Sequence, residues 1–298
     1  MAERATQALR RILAAPEIAL LPGVADGINA RLVRSEGFPG LYMTGAGTSA
    51  ARLGMPDVGL LTMTEMVDNA ARIAEAAAPL PLLADADTGY GGPVNVRRTI
   101  RAYERAGVAG VHIEDQVWPK RCGHLSGKAV IPAAEMAAKI KAACDARSDD
   151  DFVVIARTDA LAVEGWNAML DRAHAYAEAG ADVLFLEAMT TREQLAEAPK
   201  LFDRPLLYNM ASSGKTPFLG AAEMQEMGYA ACIYPNFVVL AAIPAVRALL
   251  RHLHETGDIA AVANQVASFR EFFDLLGMEE VQALEERYAI DDEHRVGY

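Results

Sequence analysis

The chain has 298 residues, a 52% hydrophobic fraction and a net charge of −12, which allows one large core, since α/β barrels of about 250 residues form single domains. The acidic balance excludes the usual basic face of a nucleic-acid binder: no basic run exceeds two residues outside the short cluster at 120–121. No apolar stretch reaches the roughly 18 residues needed to span a bilayer, and three cysteines without a signal peptide point to a reducing cytosol and no disulfide framework.

The N-terminal segment "MAERATQALRRILAAPEIALLPG" spaces Ala5, Leu9, Ile12 and Leu13 as a helix does. Its arginines would suit a transit peptide, but Glu3 and the direct run into a strand favour an ordinary first helix. Eight short apolar runs follow: 18–23, 40–45, 81–87, 110–115, 152–158, 182–188, 205–210 and 230–235. Between and after them the patterns are helical, at about 25–36, 64–78, 93–107, 133–146, 166–179, 191–199, 221–227 and 237–255. Several helices end on a glycine that leads into the next strand, as a helix C-cap does. Nearly continuous apolar strands suit a sheet covered on both faces. Eight β-then-α units predict a (β/α)8 barrel, with a doubly wound sheet as the competitor. The residues from about 258 to 298 read as a C-terminal helical extension of this single barrel domain, with "VANQVASFREFFDLLG" and "EEVQALEERYA" as helices.

Polar residues sit at the carboxyl end of strand after strand: Tyr42, Thr44, Asp85, Asp87, Glu114, Asp115, Arg157, Asp159, Glu187 and Asn209. A single one means little, because a strand end is also a helix N-cap. Six strands together point to a site at the barrel mouth. In "DADTGYGG", Asp85 and Asp87 are two apart and share a strand face. With Glu114 on the next strand, three hard oxygen donors are expected to converge on a cation, Mg2+ or Mn2+ and not Zn2+. The bland alternative is an N-cap and a salt bridge to Arg157. "TGAGTSA" (44–50) resembles a dinucleotide fingerprint but lies on the wrong strand. It reads better as an anion nest, in which backbone N–H groups and the Thr44 and Ser49 hydroxyls hold a carboxylate or phosphate. The loop "VWPKRCGHLSGK" (117–128) has the composition of a mobile lid. In it, Lys120, Arg121 and His124 surround Cys122 with positive charge, which favours the thiolate and suits proton exchange near neutral pH. Cys144 and Cys232 read as inert packing residues. No lysine stands at a strand end, so a Schiff-base aldolase is disfavoured, and a metal is expected to stabilise developing oxyanion charge.

"TGAGTSA…LGMPDVG", "DADTGYG", "HIEDQVWPKRCGH", "ARTDA" and "NM…GKTP" together resemble the isocitrate lyase/phosphoenolpyruvate mutase superfamily over nearly the whole chain, and most closely its 2-methylisocitrate lyase-like branch. The resemblance implies a (β/α)8 barrel with the eighth helix exchanged between subunits, usually in a homotetramer. It implies Mg2+ near Asp87, with Asp85 and Glu114 helping largely through water, and Cys122 as proton donor on a gating loop. Tyr42, Thr44, Gly45 and Ala46 match the carboxylate-binding turn. Asp57, Gly123, Arg157, Glu187 and Asn209 match other active-site positions, with Lys120 and His124 beside the thiol. The implied activity is a Mg2+-dependent carbon–carbon lyase acting on a small 2-hydroxy di- or tricarboxylate such as 2-methylisocitrate. Oxaloacetate hydrolysis or decarboxylation and a carboxyphosphonoenolpyruvate-type mutase are the alternatives. Two departures fall where substrate is sorted: Ser212 stands in place of the usual glutamate, and Asn236–Phe237 in place of Leu and Ser or Thr.

Overall fold

The structure is a computed structural model that describes residues 3–123, 127–213 and 215–289. Eight parallel strands close into a barrel in sequential order. They are β1 (Ala19–Val24), β2 (Leu41–Met43), β3 (Leu82–Asp85), β4 (Gly110–Glu114), β5 (Val153–Thr158), β6 (Val183–Leu186), β7 (Leu206–Asn209) and β8 (Ala231–Tyr234). Seven fall inside the runs read from the sequence, and β1 runs one residue past its run, to Val24. The helices are α1 (Ala5–Leu13), α2 (Gly27–Ser35), α3 (Gly45–Leu53), α4 (Met63–Ala77), α5 (Pro93–Arg105), α6 (Ala133–Cys144), α7 (Leu161–Glu164), α8 (Trp166–Glu178), α9 (Arg192–Glu197), α10 (Ala221–Met227), α11 (Phe237–Thr256), α12 (Phe269–Leu276) and α13 (Met278–Arg287).

Strand periodicity sorts the core into two layers. In β5, Val153 and Ile155 join an inner cluster, whereas Val154 and Ala156 join an outer one against the helices. Leu9, Ile12 and Leu13 of α1 belong to the inner cluster, beside the strand-starting residues Ala19, Val153 and Val183. The amino-terminal end of the barrel is therefore filled with apolar side chains. Continuing the same two-residue step toward the other end, the inward series becomes polar: Leu83 leads to Asp85, Ile155 to Arg157, Phe185 to Glu187 and Leu207 to Asn209. The apolar end supplies stability and leaves the carboxyl end for chemistry.

Three expectations are corrected. The 44–50 segment is not an open turn but the start of α3: the Thr44 side chain caps it by accepting from the Gly47 N–H. The tail helix read over "VANQVASFREFFDLLG" begins only at Phe269, because Ser268 and Glu271 form a capping box there. And α11, 20 residues long with an 18-residue stretch of mean hydropathy 1.4, is long and apolar enough to cross a membrane by length and composition. Pro244, Arg247 and Arg251 interrupt the run that a scan for unbroken apolar stretches looks for. The chain divides into two compact units, Met1–Ala242 and Ile243–Tyr298, with the division inside α11. No described residue of the second unit is buried.

Candidate active site

The site lies at the carboxyl ends of the strands, within the first unit. Tyr42 at the end of β2 hydrogen-bonds the His112 Nε2 at 2.8 Å. His112 is fully buried on β4, and burial lowers its pKa to about 4, so the ring is neutral at pH 7. Burial, reinforced by Asp85, also raises Tyr42 well above the ordinary phenol value. Tyr42 thus presents a neutral hydroxyl.

Asp85 ends β3. Its carboxylate accepts from the N–H groups of Gly45 (3.2 Å) and Asp87 (2.8 Å). The Gly45 amide is therefore already engaged, and the nest reading of 44–50 loses one donor. It loses the Ser49 hydroxyl too, which is directed at the Met55 and Pro56 carbonyls. A Cβ on residue 45 would stand 2.4 Å from Asp85 Oδ2, so only glycine permits this approach. Thr44 keeps a role at the site, donating to Asn236 Oδ1 at 3.1 Å. Asp87 follows in a left-handed conformation with φ of 46°, a strained backbone of the kind found at functional sites. Burial raises its pKa to about 6 even though the Lys120 ammonium lies 2.7 Å away.

Lys120 reaches down from the lid segment and is almost fully buried. Its ammonium bridges Asp87 and Asp57, the latter at 2.6 Å. Burial works against its charge, but Asp87, Asp85, Glu114 and Asp57 outweigh this and hold its pKa well above the ordinary lysine value. Its charge is thus balanced by carboxylates and is not reserved for the Cys122 thiol. Glu114 ends β4: Oε2 faces Arg157 at 3.0 Å, while Oε1 is buried without a hydrogen-bond partner among the described residues. Burial raises Glu114 well above the usual carboxylate range. Asp85, Asp87 and Glu114 share one mouth, but among the described residues no group of three His, Cys, Asp or Glu side chains is gathered at metal-holding distance. Lys120 and Arg157 stand among these acids.

Arg157 is oriented by Asp159, which accepts from Nε at 3.0 Å and Nη2 at 3.2 Å. Its guanidinium lies 5.1 Å from the centre of the Phe185 ring. Glu187 receives both hydrogen bonds of the Asn209 amide group, which leaves Asn209 Oδ1 buried and unpartnered. Asp115, by contrast, is structural: Thr158, Tyr176 and the Asp159 N–H all donate to it.

The lid segment lies closed over these groups. The Cys122 N–H donates to the Asp57 carbonyl at 3.2 Å. Gln116 grips Arg121 from both sides, accepting from its N–H and donating to its carbonyl. Lys128 links the lid to the floor by donating to Asp159 at 2.7 Å. Gly123 packs so closely that a Cβ there would stand 2.5 Å from both Arg157 Nη2 and Glu187 Oε1. The cavity is about 50 Å3 and is walled by Tyr42, Thr44, Ala46, Cys122, Arg157 and Asn236 among others. This is far under the about 300 Å3 at which ligand clefts begin. Admission of a ligand therefore requires the lid to move.

A neutral phenol, two balanced cations, buried carboxylates and a thiol-bearing lid over an anion-sized cavity suit acid–base chemistry on a carboxylate. A family model described as phosphoenolpyruvate phosphomutase matches residues 9–254. The chain belongs to the phosphoenolpyruvate mutase/isocitrate lyase superfamily. Within the superfamily it is 44% identical to a 2,3-dimethylmalate lyase of Eubacterium barkeri, over 94% of this chain and 97% of that one. It is 42% identical to a probable 2-methylisocitrate lyase of Corynebacterium glutamicum, over 94% and 91%. A crystal structure of 2,3-dimethylmalate lyase superposes with a TM-score of 0.93 at 40% identity, covering 100% of both chains. A structure of oxaloacetate acetylhydrolase with 3,3-difluorooxalacetate gives 0.91 at 40%, covering 95% of this chain and 96% of that one.

The structure brings most of the sequence-derived candidates to this cavity or to its carboxylate floor. Ser212 is the exception: it is exposed on the turn after Met210 and does not line the cavity, whereas its neighbour Ala211 does. His124 lies outside the described residues. Phe185, Lys128 and the orienting role of Asp159 were missed. The available signal was the two-residue step, which puts Phe185 on the same inward face as Glu187.

Proposed function

We propose that the chain is a Mg2+-dependent carbon–carbon lyase that cleaves a small 2-hydroxy di- or tricarboxylate into a 2-oxo acid and a carboxylate. The observation that carries this reading is the closed lid, which sets the Cys122 segment directly on Arg157 and Glu187 across an anion-sized cavity. The donor chemistry fits a hard divalent cation: Asp85, Asp87 and Glu114 offer buried carboxylate oxygens, and among the described residues Glu114 Oε1 has no hydrogen-bond partner. These three residues would hold Mg2+, or Mn2+ in its place, and the ion would stabilise the oxyanion that develops at the 2-oxygen. Thr44, Arg157 and Asn236 bind and orient the carboxylates. As the Glu187 carboxylate, which lines the cavity, takes the proton of the 2-hydroxyl, the O–H electron pair closes the carbonyl and the carbon–carbon pair moves onto the departing carbon. Cys122 then delivers a proton to that carbon, and the lid excludes water while it does so.

Oxaloacetate hydrolysis is the second reading, supported by the 0.91 TM-score to the acetylhydrolase. The exposed apolar stripe of α11, Leu240, Ile243, Val246, Leu250 and Leu253, supports exchange of this helix between subunits of a homotetramer. Three cysteines with no disulfide between them suit a reducing, cytosolic compartment. The test is a panel of 2,3-dimethylmalate, 2-methylisocitrate, oxaloacetate and phosphoenolpyruvate with Mg2+, read by proton and phosphorus NMR. A 2-oxo acid from a 2-hydroxy acid supports the lyase. Oxalate with acetate from oxaloacetate supports the hydrolase, and a phosphonate signal alone rejects both.

A further inference from the structure

A second cavity, of about 540 Å3, lies outside the barrel mouth, between α6, the turn after Asp87 and the base of the lid. Its size is ordinary for a small-molecule cleft. One wall is apolar and aromatic: Leu60, Tyr90 and Trp118, with the two rings 6.4 Å apart. The opposite wall carries Lys139. Lys139 is 4% exposed, yet among the described residues its ammonium makes a single hydrogen bond, to the Thr88 carbonyl at 3.0 Å. Among the described residues no carboxylate stands within ion-pair distance of it. A buried ammonium normally has an anionic partner, because desolvation is costly otherwise. Burial lowers its pKa below the usual lysine range, as expected for a cation short of compensation. The neighbouring Glu135 is too far away to pair, but its charge opposes a dianion.

We propose that this cleft is a second binding site, which takes a small monocarboxylate with an apolar or aromatic body, its carboxylate on Lys139 and its body between Tyr90, Trp118 and Leu60. The site is coupled to the active site by its walls. Lys139 holds the Thr88 carbonyl, one residue from the strained Asp87, and Trp118 stands two residues before Lys120 in the lid. An occupant therefore touches both the turn after Asp87 and the base of the lid without entering the barrel. The proposal does not depend on which reaction the barrel performs.

The chain has two tryptophans, Trp118 and Trp166, so Trp166→Phe leaves Trp118 as the sole reporter. Titrating that protein with 3-phenylpropionate should change Trp118 emission saturably. Lys139→Met should weaken the midpoint by about tenfold or more, as loss of a buried charge partner does. Because Lys139→Met could fail to fold, Leu60→Glu serves as the second variant: Leu60 is 47% exposed, and a carboxylate there repels the probe. It should weaken binding by a similar factor. Asn209→Ala, which alters only the barrel-mouth cavity, should leave the midpoint unchanged. Lack of saturation by about 10 mM, a weak affinity even for small ligands, would overturn the proposal. So would a midpoint that moves with Asn209→Ala and not with Leu60→Glu.

Discussion

In the proposed mechanism Cys122 carries the acid step, and its replacement separates chemistry from binding. Cys122→Ser keeps a small hydroxyl in the lid but raises the proton-donor pKa by many units. Turnover should fall about 10²-fold or more, the scale of losing a general acid, while KM changes much less because Arg157, Thr44 and Asn236 still hold the anion. Steady-state kinetics on the substrate found by the panel checks this, and a wild-type rate makes the cysteine a mere lid residue. His112 gives a pH signature of folding. Burial puts its folded-state pKa at about 4, against an ordinary 6.5. Between those values the unfolded chain binds a proton that the folded one does not, so stability falls as pH drops through this window. From pH 7 to 5 the loss attributable to this ring is about 2 kcal/mol. Urea midpoints at the two pH values should therefore differ more for the wild type than for His112→Gln. The site's acids and Arg157 were legible in the sequence because strand-end position is a local property. The pairing of Lys120 with Asp57 and Asp87 was not, since it depends on how a loop folds back across the mouth. Nor was the exposure of Ser212, which is set by the turn after β7.

At the scale of elements, β1 to β8 were readable because strands covered on both faces form short apolar runs bounded by turns. The helix α3 was not, because "GAGTSA" is poor helix sequence, with each interior glycine costing about 1 kcal/mol relative to alanine. Tertiary partners rescue it: the Thr44 cap, and the Asp85 carboxylate on the Gly45 N–H at its first turn. Thr44→Val removes the cap and the bond to Asn236 while nearly preserving volume. It should cost about 1 kcal/mol of stability, the usual value of an N-cap, and should raise KM more than it lowers kcat. Denaturant melts and kinetics on one preparation read both effects. Loss of kcat alone would place Thr44 in the chemistry and not in binding.

For the whole molecule, counting βα units was enough to reach the barrel, whereas the homotetramer was an expectation from the family resemblance alone, because a side chain's partner on another copy leaves no periodic trace in one chain. The apolar stripe of α11 requires cover. Light scattering should give four times the 32.0 kDa of one chain, and Leu250→Glu, on a residue 57% exposed within the chain, should lower that mass. A single-chain mass for the wild type contradicts the exchange of α11. The central claim is that three buried carboxylates serve a divalent cation in breaking a carbon–carbon bond. The direct measurement is the initial rate of 2-oxo acid release from a 2-hydroxy di- or tricarboxylate, first with Mg2+, then in excess chelator, then with Mg2+ restored. The account predicts a rate that vanishes with the chelator and returns with the metal; an undiminished rate in excess chelator would contradict it.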